Sequence, residues 1–151
     1  MNTHYYGGIK KYQWTTIPLA IHGIVCKKDG TKINIVIGED ENDPVFCISD
    51  ILPHLAQSQM QNKASEFITG EDLDLIFGSI IPKKESNDKE EKSKKKEKNS
   101  AKKIILELLK EKYKIEEDDF LSSELEIVPA GKARDLGLDR SFILAYGQDD
   151  R

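Results

Sequence analysis

Residues 83–103 read KKESNDKEEKSKKKEKNSAKK, ten lysines and five acidic residues with no apolar side chain larger than Ala101. A stretch with nothing to bury cannot offset the entropy lost on ordering, so residues 83–99 are expected to form a disordered or solvated insertion between two folded parts. The segment carries a net charge of +5 and the remaining 130 residues carry −9. Acidic residues interleave the lysines, and the run holds neither an arginine nor an aromatic ring on which a base could stack. A solvated surface therefore accounts for it better than a nucleic-acid site does, and nucleic-acid binding is the weakest of three functional readings.

The whole chain has 151 residues and a formal net charge of −4, which excludes the uniformly basic surface of a dedicated nucleic-acid binder. Cys26 and Cys47 match neither a secreted disulfide framework nor a paired zinc motif. They read as small buried hydrophobes in a reducing, cytoplasmic setting. Residues 15–26 are the longest uncharged apolar stretch and contain Pro18 and His22. That is about half of the ~20 residues a membrane-spanning helix needs, so no membrane partner is expected.

Apolar residues from Ile17 to Val25 and the alternating Ile33, Ile35 and Ile37 flank Asp29-Gly30, which predicts a β-hairpin closed by a type I′ turn. A short apolar run follows at residues 45–48. Leu52, Leu55, Ala56, Met60, Ala64 and Phe67 then recur at helical spacing between a Ser49 or Asp50 cap and Gly70, predicting an amphipathic helix. Leu73, Leu75 and Phe77 alternate as a strand would. Beyond the lysine run, a second amphipathic helix is expected from a Ser100 cap to about Tyr113, with Ile104, Ile105, Leu108 and Leu109 on its apolar face. A strand over residues 124–128 comes next. Together these predict an α+β fold, mainly antiparallel and barrel-like, with two amphipathic helices and the lysine-rich insertion.

Few residues carry chemistry by spacing alone. His4, His22 and His54 lie far apart, and none forms a two-histidine metal motif. No nucleophile elbow, phosphate-binding loop or dinucleotide fingerprint occurs. Asp149-Asp150-Arg151 follows the apolar run Phe142 to Tyr146. Adjacent carboxylates there would place a hard anionic ligand at the end of a buried element, although an acidic pair at a solvated tail is the blander reading.

Four groups of residues share a resemblance: Thr3-His4-Tyr5-Tyr6-Gly7-Gly8 running to Trp14-Thr15, Gly38-Glu39-Asp40-Glu41-Asn42-Asp43-Pro44, Pro53-His54-Leu55-Ala56, and Pro129-Ala130-Gly131-Lys132-Ala133-Arg134-Asp135 continuing to Tyr146-Gly147-Gln148-Asp149-Asp150-Arg151. Together they resemble the middle of the zinc aminopeptidases grouped with aspartyl aminopeptidase and vacuolar aminopeptidase I. The resemblance implies a metallo-exopeptidase that releases N-terminal residues from peptides with two zinc ions, of which Asp149 matches the bridging ligand. It implies further that residues 17–128 form a dimerisation insert, joined to a catalytic domain by a flank at 1–16 and a return at 129–151. His54 matches a histidine that reaches a neighbouring subunit's substrate.

The remaining metal ligands and the water-activating glutamate have no counterpart here, and His4 lacks the aspartate two residues on that an HxD metal motif requires. Two zinc ions need several converging ligands to polarise a carbonyl and generate hydroxide. The isolated chain is therefore expected to be inactive and to hold no zinc. Its partner is expected to be itself, as a homodimer, with a dodecamer and a peptide substrate only in the full-length enzyme. The rival reading is a free-standing oligomerisation or protein-interaction module without peptidase activity.

Overall fold

In the computed structural model, which describes residues 3–79 and 93–145, the hairpin is formed by β1 (Leu19–Cys26) and β2 (Lys32–Ile37). Its turn differs from the expected type I′. Gly30 N donates to Lys27 O at 2.9 Å, Lys27 N donates to Thr31 O at 2.8 Å, and Gly30 has φ +84° while Asp29 keeps a negative φ. This is a type I turn followed by a left-handed glycine, a bulged closure that needs only one residue at positive φ. Thr31 N donates to Asp29 Oδ1 at 2.9 Å, and that bond holds the Asp29 carboxyl below its ordinary value.

A third strand, described below as β5 (Ser123–Pro129), lies on the other side of β1, giving the order β2-β1-β5. Ala130 N donates to Pro18 O at 2.9 Å and Ser122 Oγ to Cys26 O at 2.6 Å, so β5 runs antiparallel to β1. Having partners on both edges buries β1 most deeply, with Leu19, Ala20, Ile21 and Val25 at 0–2% exposure. Two further antiparallel pairs complete the sheets: β3 (Cys47–Ile48) with β4 (Leu75–Ile76), and β6 (Arg134–Leu136) with β7 (Phe142–Leu144). The barrel-like expectation is not met, because the three-stranded sheet ends on β2 and β5 and no closed barrel forms among the described residues. Closure would require every strand to be paired on both sides.

The helix expected across residues 49–70 is also absent. Isolated turns replace it, with Leu55 N on Leu52 O at 2.8 Å and Met60 N on Ala56 O at 2.8 Å, and the only helical piece is the 3₁₀ turn Gln59–Gln61. Leu52, Leu55 and Met60 are 60–67% exposed while Ala56 is buried, so their helical spacing does not mark a stripe facing the core. Asn62 is extended, with ψ 156°, and ends the turn.

Among the described residues the one α-helix is α1 (Ser93–Tyr113), which already includes Ser93, seven residues before the expected Ser100 cap. Lysine and glutamate favour the helix without burying anything, so residues 93–99 of the expected insertion extend a helix whose apolar residues lie downstream. Residues 83–92 of that insertion lie outside the described residues. Ile104, Ile105 and Leu109 are half-buried, whereas Leu108, assigned to the same face from spacing, is 57% exposed. The helix ends as Lys114 turns left-handed at φ 58°, its N–H donating to Lys110 O at 3.0 Å.

The chain divides into two compact units, residues 1–22, 36–76 and 126–151 in one and 23–35 with 77–125 in the other. The first unit buries Leu19, Ile21, Phe46, Ile48, Ile68 and Leu73. In the second, Val25, Ile35 and Ile115 are buried, and Asp119 is buried with its Oδ2 accepting Glu116 N at 2.9 Å. Exposed pairs such as Lys28 with Asp118 at 2.9 Å and Lys110 with Glu116 at 2.8 Å decorate this unit; hydrogen bonding to the partner carboxylate raises both lysine pKa values. Such pairs contribute little to stability.

In the first unit, Thr69 caps the turn Gly70–Asp72 by donating to Asp72 Oδ2 from its hydroxyl at 2.7 Å and its N–H at 2.9 Å. These bonds, the hydroxyl foremost, hold the Asp72 carboxyl below the ordinary 3.8. A lowered folded-state value stabilises the fold above the unfolded value, and that contribution is lost as pH falls through the folded value. Asp72→Ala should therefore be less stable than the parent above about pH 4, with the gap closing on acidification toward pH 2, as urea midpoints across that range would report. A gap independent of pH would show that the carboxylate's charge is not what matters.

Candidate functional site

Around residues 50–67 the first unit forms an open depression of about 280 Å³, lined by Ile51, Pro53, Met60 and Phe67 and by buried Ala56. Two polar residues line it. Asp50, read from sequence as a helix cap, uses Oδ1 to accept Ile51 N at 2.8 Å and Gln59 Nε2 at 3.2 Å. Gln59 Oε1 is buried and has no hydrogen-bond partner among the described residues. A buried acceptor left unpaired costs roughly 1–3 kcal/mol. Nothing in the sequence singled it out, because its walls come from turns that bring residue 67 back to residue 50.

His54 is exposed, in the turn closed by Ala56 N on Pro53 O at 3.2 Å. The other two histidines stand elsewhere. His4 is exposed and stacks on Tyr5 with ring centroids 5.7 Å apart. His22 Nε2 lies 2.8 Å from Glu39 Oε1. No sequence motif signals that second pairing, which depends on the β1–β2 hairpin bringing residue 39 back beside residue 22.

Asp149, Asp150 and Arg151 lie outside the described residues. The hairpin leading toward them pairs Arg134 with Leu144, Asp135 with Ile143 and Leu136 with Phe142. Its turn is tied by Arg140 N on Gly137 O at 3.1 Å and Ser141 Oγ on Asp139 Oδ1 at 3.0 Å. Contrary to the expected buried element, Phe142, Ile143 and Leu144 are 46–69% exposed. Among the described residues each strand of this pair has one neighbour, and a two-stranded hairpin cannot cover its own apolar side chains.

Among the described residues no three His, Cys, Asp or Glu side chains come together as a metal site requires. The described donors therefore do not fit a zinc centre, and no reaction step follows from them. Nor is any helix of the described residues long and apolar enough to cross a membrane.

The profile of the aminopeptidase I zinc metalloprotease family (M18) matches residues 1–151, and the chain belongs to that family. A probable M18 family aminopeptidase 1 from Clostridium acetobutylicum is 61% identical over 151 residues, all of this chain and 30% of that protein. A counterpart from Thermotoga maritima is 51% identical over 149 residues, 99% of this chain and 30% of its own length. The crystal structure of the Thermotoga maritima M18 aminopeptidase superposes with a TM-score of 0.80 at 48% identity, over 94% of this chain and 29% of that one. That of aminopeptidase I from Clostridium acetobutylicum gives 0.77 at 57% identity, over 95% and 29%. The chain thus spans about 30% of the length of the curated relatives it matches.

Proposed function

We propose that this chain is the assembly insert of a zinc-dependent aminopeptidase together with its two flanks, catalytically silent alone and contributing to peptide hydrolysis in a full-length cytoplasmic enzyme. The observation that carries the reading is the match of the whole chain to the M18 family over less than a third of its relatives' length. In that enzyme Asp149 supplies the carboxylate shared by two zinc ions, and His54 reaches the substrate bound by a neighbouring subunit. The exposed position of His54 on a turn suits such a reach. Exposed Ile51, Leu52, Leu55 and Met60 around it, 53–67% accessible, favour self-association into a homodimer that builds the larger dodecamer. Neither a membrane nor a specific nucleic acid is among the partners.

The reading is tested on the 151-residue chain itself. Light scattering at high micromolar concentration should give a dimer, and assays with zinc on aspartyl, glutamyl and leucyl substrates should give no release above buffer. A strict monomer removes the assembly role. Turnover by the isolated chain removes the insert reading altogether, whereas a dimer whose full-length relatives assemble without this segment favours the free-standing module.

A further inference from the structure

We propose that β2 (Lys32–Ile37) is a pairing edge to which a second copy of this chain adds its own β2, antiparallel about a two-fold axis through Asn34. The inference rests on the assembly reading above and gives it a surface outside residues 50–67. Among the described residues β2 and β5 are the two edges of the three-stranded sheet. They differ in how they are guarded. β5 carries exposed Glu124 and Glu126 and ends at Pro129, features that discourage a further strand. β2 reads Lys-Ile-Asn-Ile-Val-Ile, with its one charge at the first residue and no proline.

The main-chain groups of β2 alternate in direction. Lys27 N donates to Thr31 O at 2.8 Å, so Thr31, and by alternation Ile33, Ile35 and Ile37, turn their main-chain groups toward β1. Those of Lys32, Asn34 and Val36 turn outward, where no backbone hydrogen bond meets them among the described residues. Their side chains are exposed, Val36 at 50%, whereas Ile35 and Ile37 are buried. Two such outward residues facing each other across an antiparallel pair exchange both of their main-chain bonds. A centre at Asn34 sets Asn34 against itself, Lys32 against Val36 and Ile33 against Ile35, so every outward group finds a partner. Moving the centre to Ile35 would set Lys32 against Gly38, whose N–H already donates to Asp43 Oδ2 at 3.2 Å. The charge pattern selects a second copy as the occupant. The one lysine meets Val36, along which its stem can lie, instead of its own symmetry mate, and the two asparagine amides face each other as donor and acceptor. Ile33 and Ile35 then continue one apolar layer across both copies. An edge of 6 residues is a small contact, so the pairing belongs in the micromolar range.

The test measures self-association of the 151-residue chain by sedimentation equilibrium and follows amide hydrogen exchange at low and high micromolar concentration. The Asn34 and Val36 amides should exchange about tenfold more slowly at the higher concentration, while those of Ile33 and Ile35 stay protected at both. Asn34→Lys and Asn34→Glu should each weaken association about tenfold, because like charges then meet on the axis. An equimolar mixture of the two variants should associate at least as tightly as the parent, since opposite charges face each other. Position 34 is exposed, so both substitutions leave the bonds from β2 to β1 in place. The exchange comparison on the parent decides even if a variant fails to fold. A dimer whose Asn34 and Val36 amides exchange independently of concentration, or a mixture no tighter than the separate variants, would overturn the pairing and leave assembly to another surface. A parent that stays monomeric ends this inference and the assembly reading together.

Discussion

Gly23→Ala is expected to cost the fold about 3 kcal/mol or more, a large share of the 5–15 kcal/mol that holds a typical domain together. Gly23 lies in β1 where β5 crosses it. A Cβ there would stand 2.0 Å from Glu124 O and 2.9 Å from Leu125 Cα. Both are backbone atoms of the neighbouring strand, so no side-chain rotation relieves the contact. Either β5 moves away from β1 and gives up ladder hydrogen bonds, or β1 bends out of the sheet; both uncover the most buried strand of the molecule. With a urea slope of about 2 kcal/mol/M, the midpoint should fall by more than 1 M. Gly8→Ala is the control, because nothing lies within 4 Å of a Cβ built there and its φ is not positive. If the two variants unfold within about 0.2 M of each other, β1 and β5 do not pack as closely as described.

That contact was not legible in the sequence, and the reason is instructive. The local signals that could be read were those carried by residues adjacent in the chain. The Asp29-Gly30 hairpin is one, since a turn pair between two alternating apolar runs needs no distant partner. The strand at residues 123–129 and the end of α1 at Tyr113 are others. Even in the hairpin the turn type escaped, because a left-handed Gly30 and the Asp29-to-Thr31 bond close the loop with one positive φ where two were expected.

Failures came where the pattern was right and its interpretation wrong. Leu52, Leu55 and Met60 recur at helical spacing yet point to solvent, so their spacing says nothing about a core. Conversely, residues 93–99 have nothing to bury and still form helix, since helix propensity acts per residue and a neighbouring anchored turn is enough to propagate it. Among the described residues the β2-β1-β5 sheet has three strands, an order set by distant pairings that alternation cannot reveal. Of the candidate site, family membership was legible from short motifs spread along the whole chain, because each motif is a run of adjacent residues that needs no tertiary contact to be read. Asp50 and Gln59 were not, because what makes them notable is an unpaired oxygen created by tertiary closure.

Under the proposed function, Asp149→Asn in the full-length enzyme should lower turnover by about a thousandfold or more. There the Asp149 carboxylate would offer its negative charge and two acceptor oxygens to the metal. Asparagine keeps the shape but replaces one oxygen by an amide nitrogen that donates rather than accepts, and removes the negative charge offsetting two dications. Metal sites of this kind contribute several kcal/mol of transition-state charge stabilisation, and each 1.36 kcal/mol lost is tenfold in rate. Asp150→Asn, one residue further on, should cost roughly 10–100-fold, as substitutions that orient a ligand rather than replace it do. Zinc content measured beside kcat separates the cases: the Asp149 variant should lose metal as well as rate, and the Asp150 variant should keep most of its metal. An Asp149→Asn enzyme holding two zinc ions and working within tenfold of the parent would remove Asp149 from the metal site and move the search to another carboxylate, beginning with Asp150.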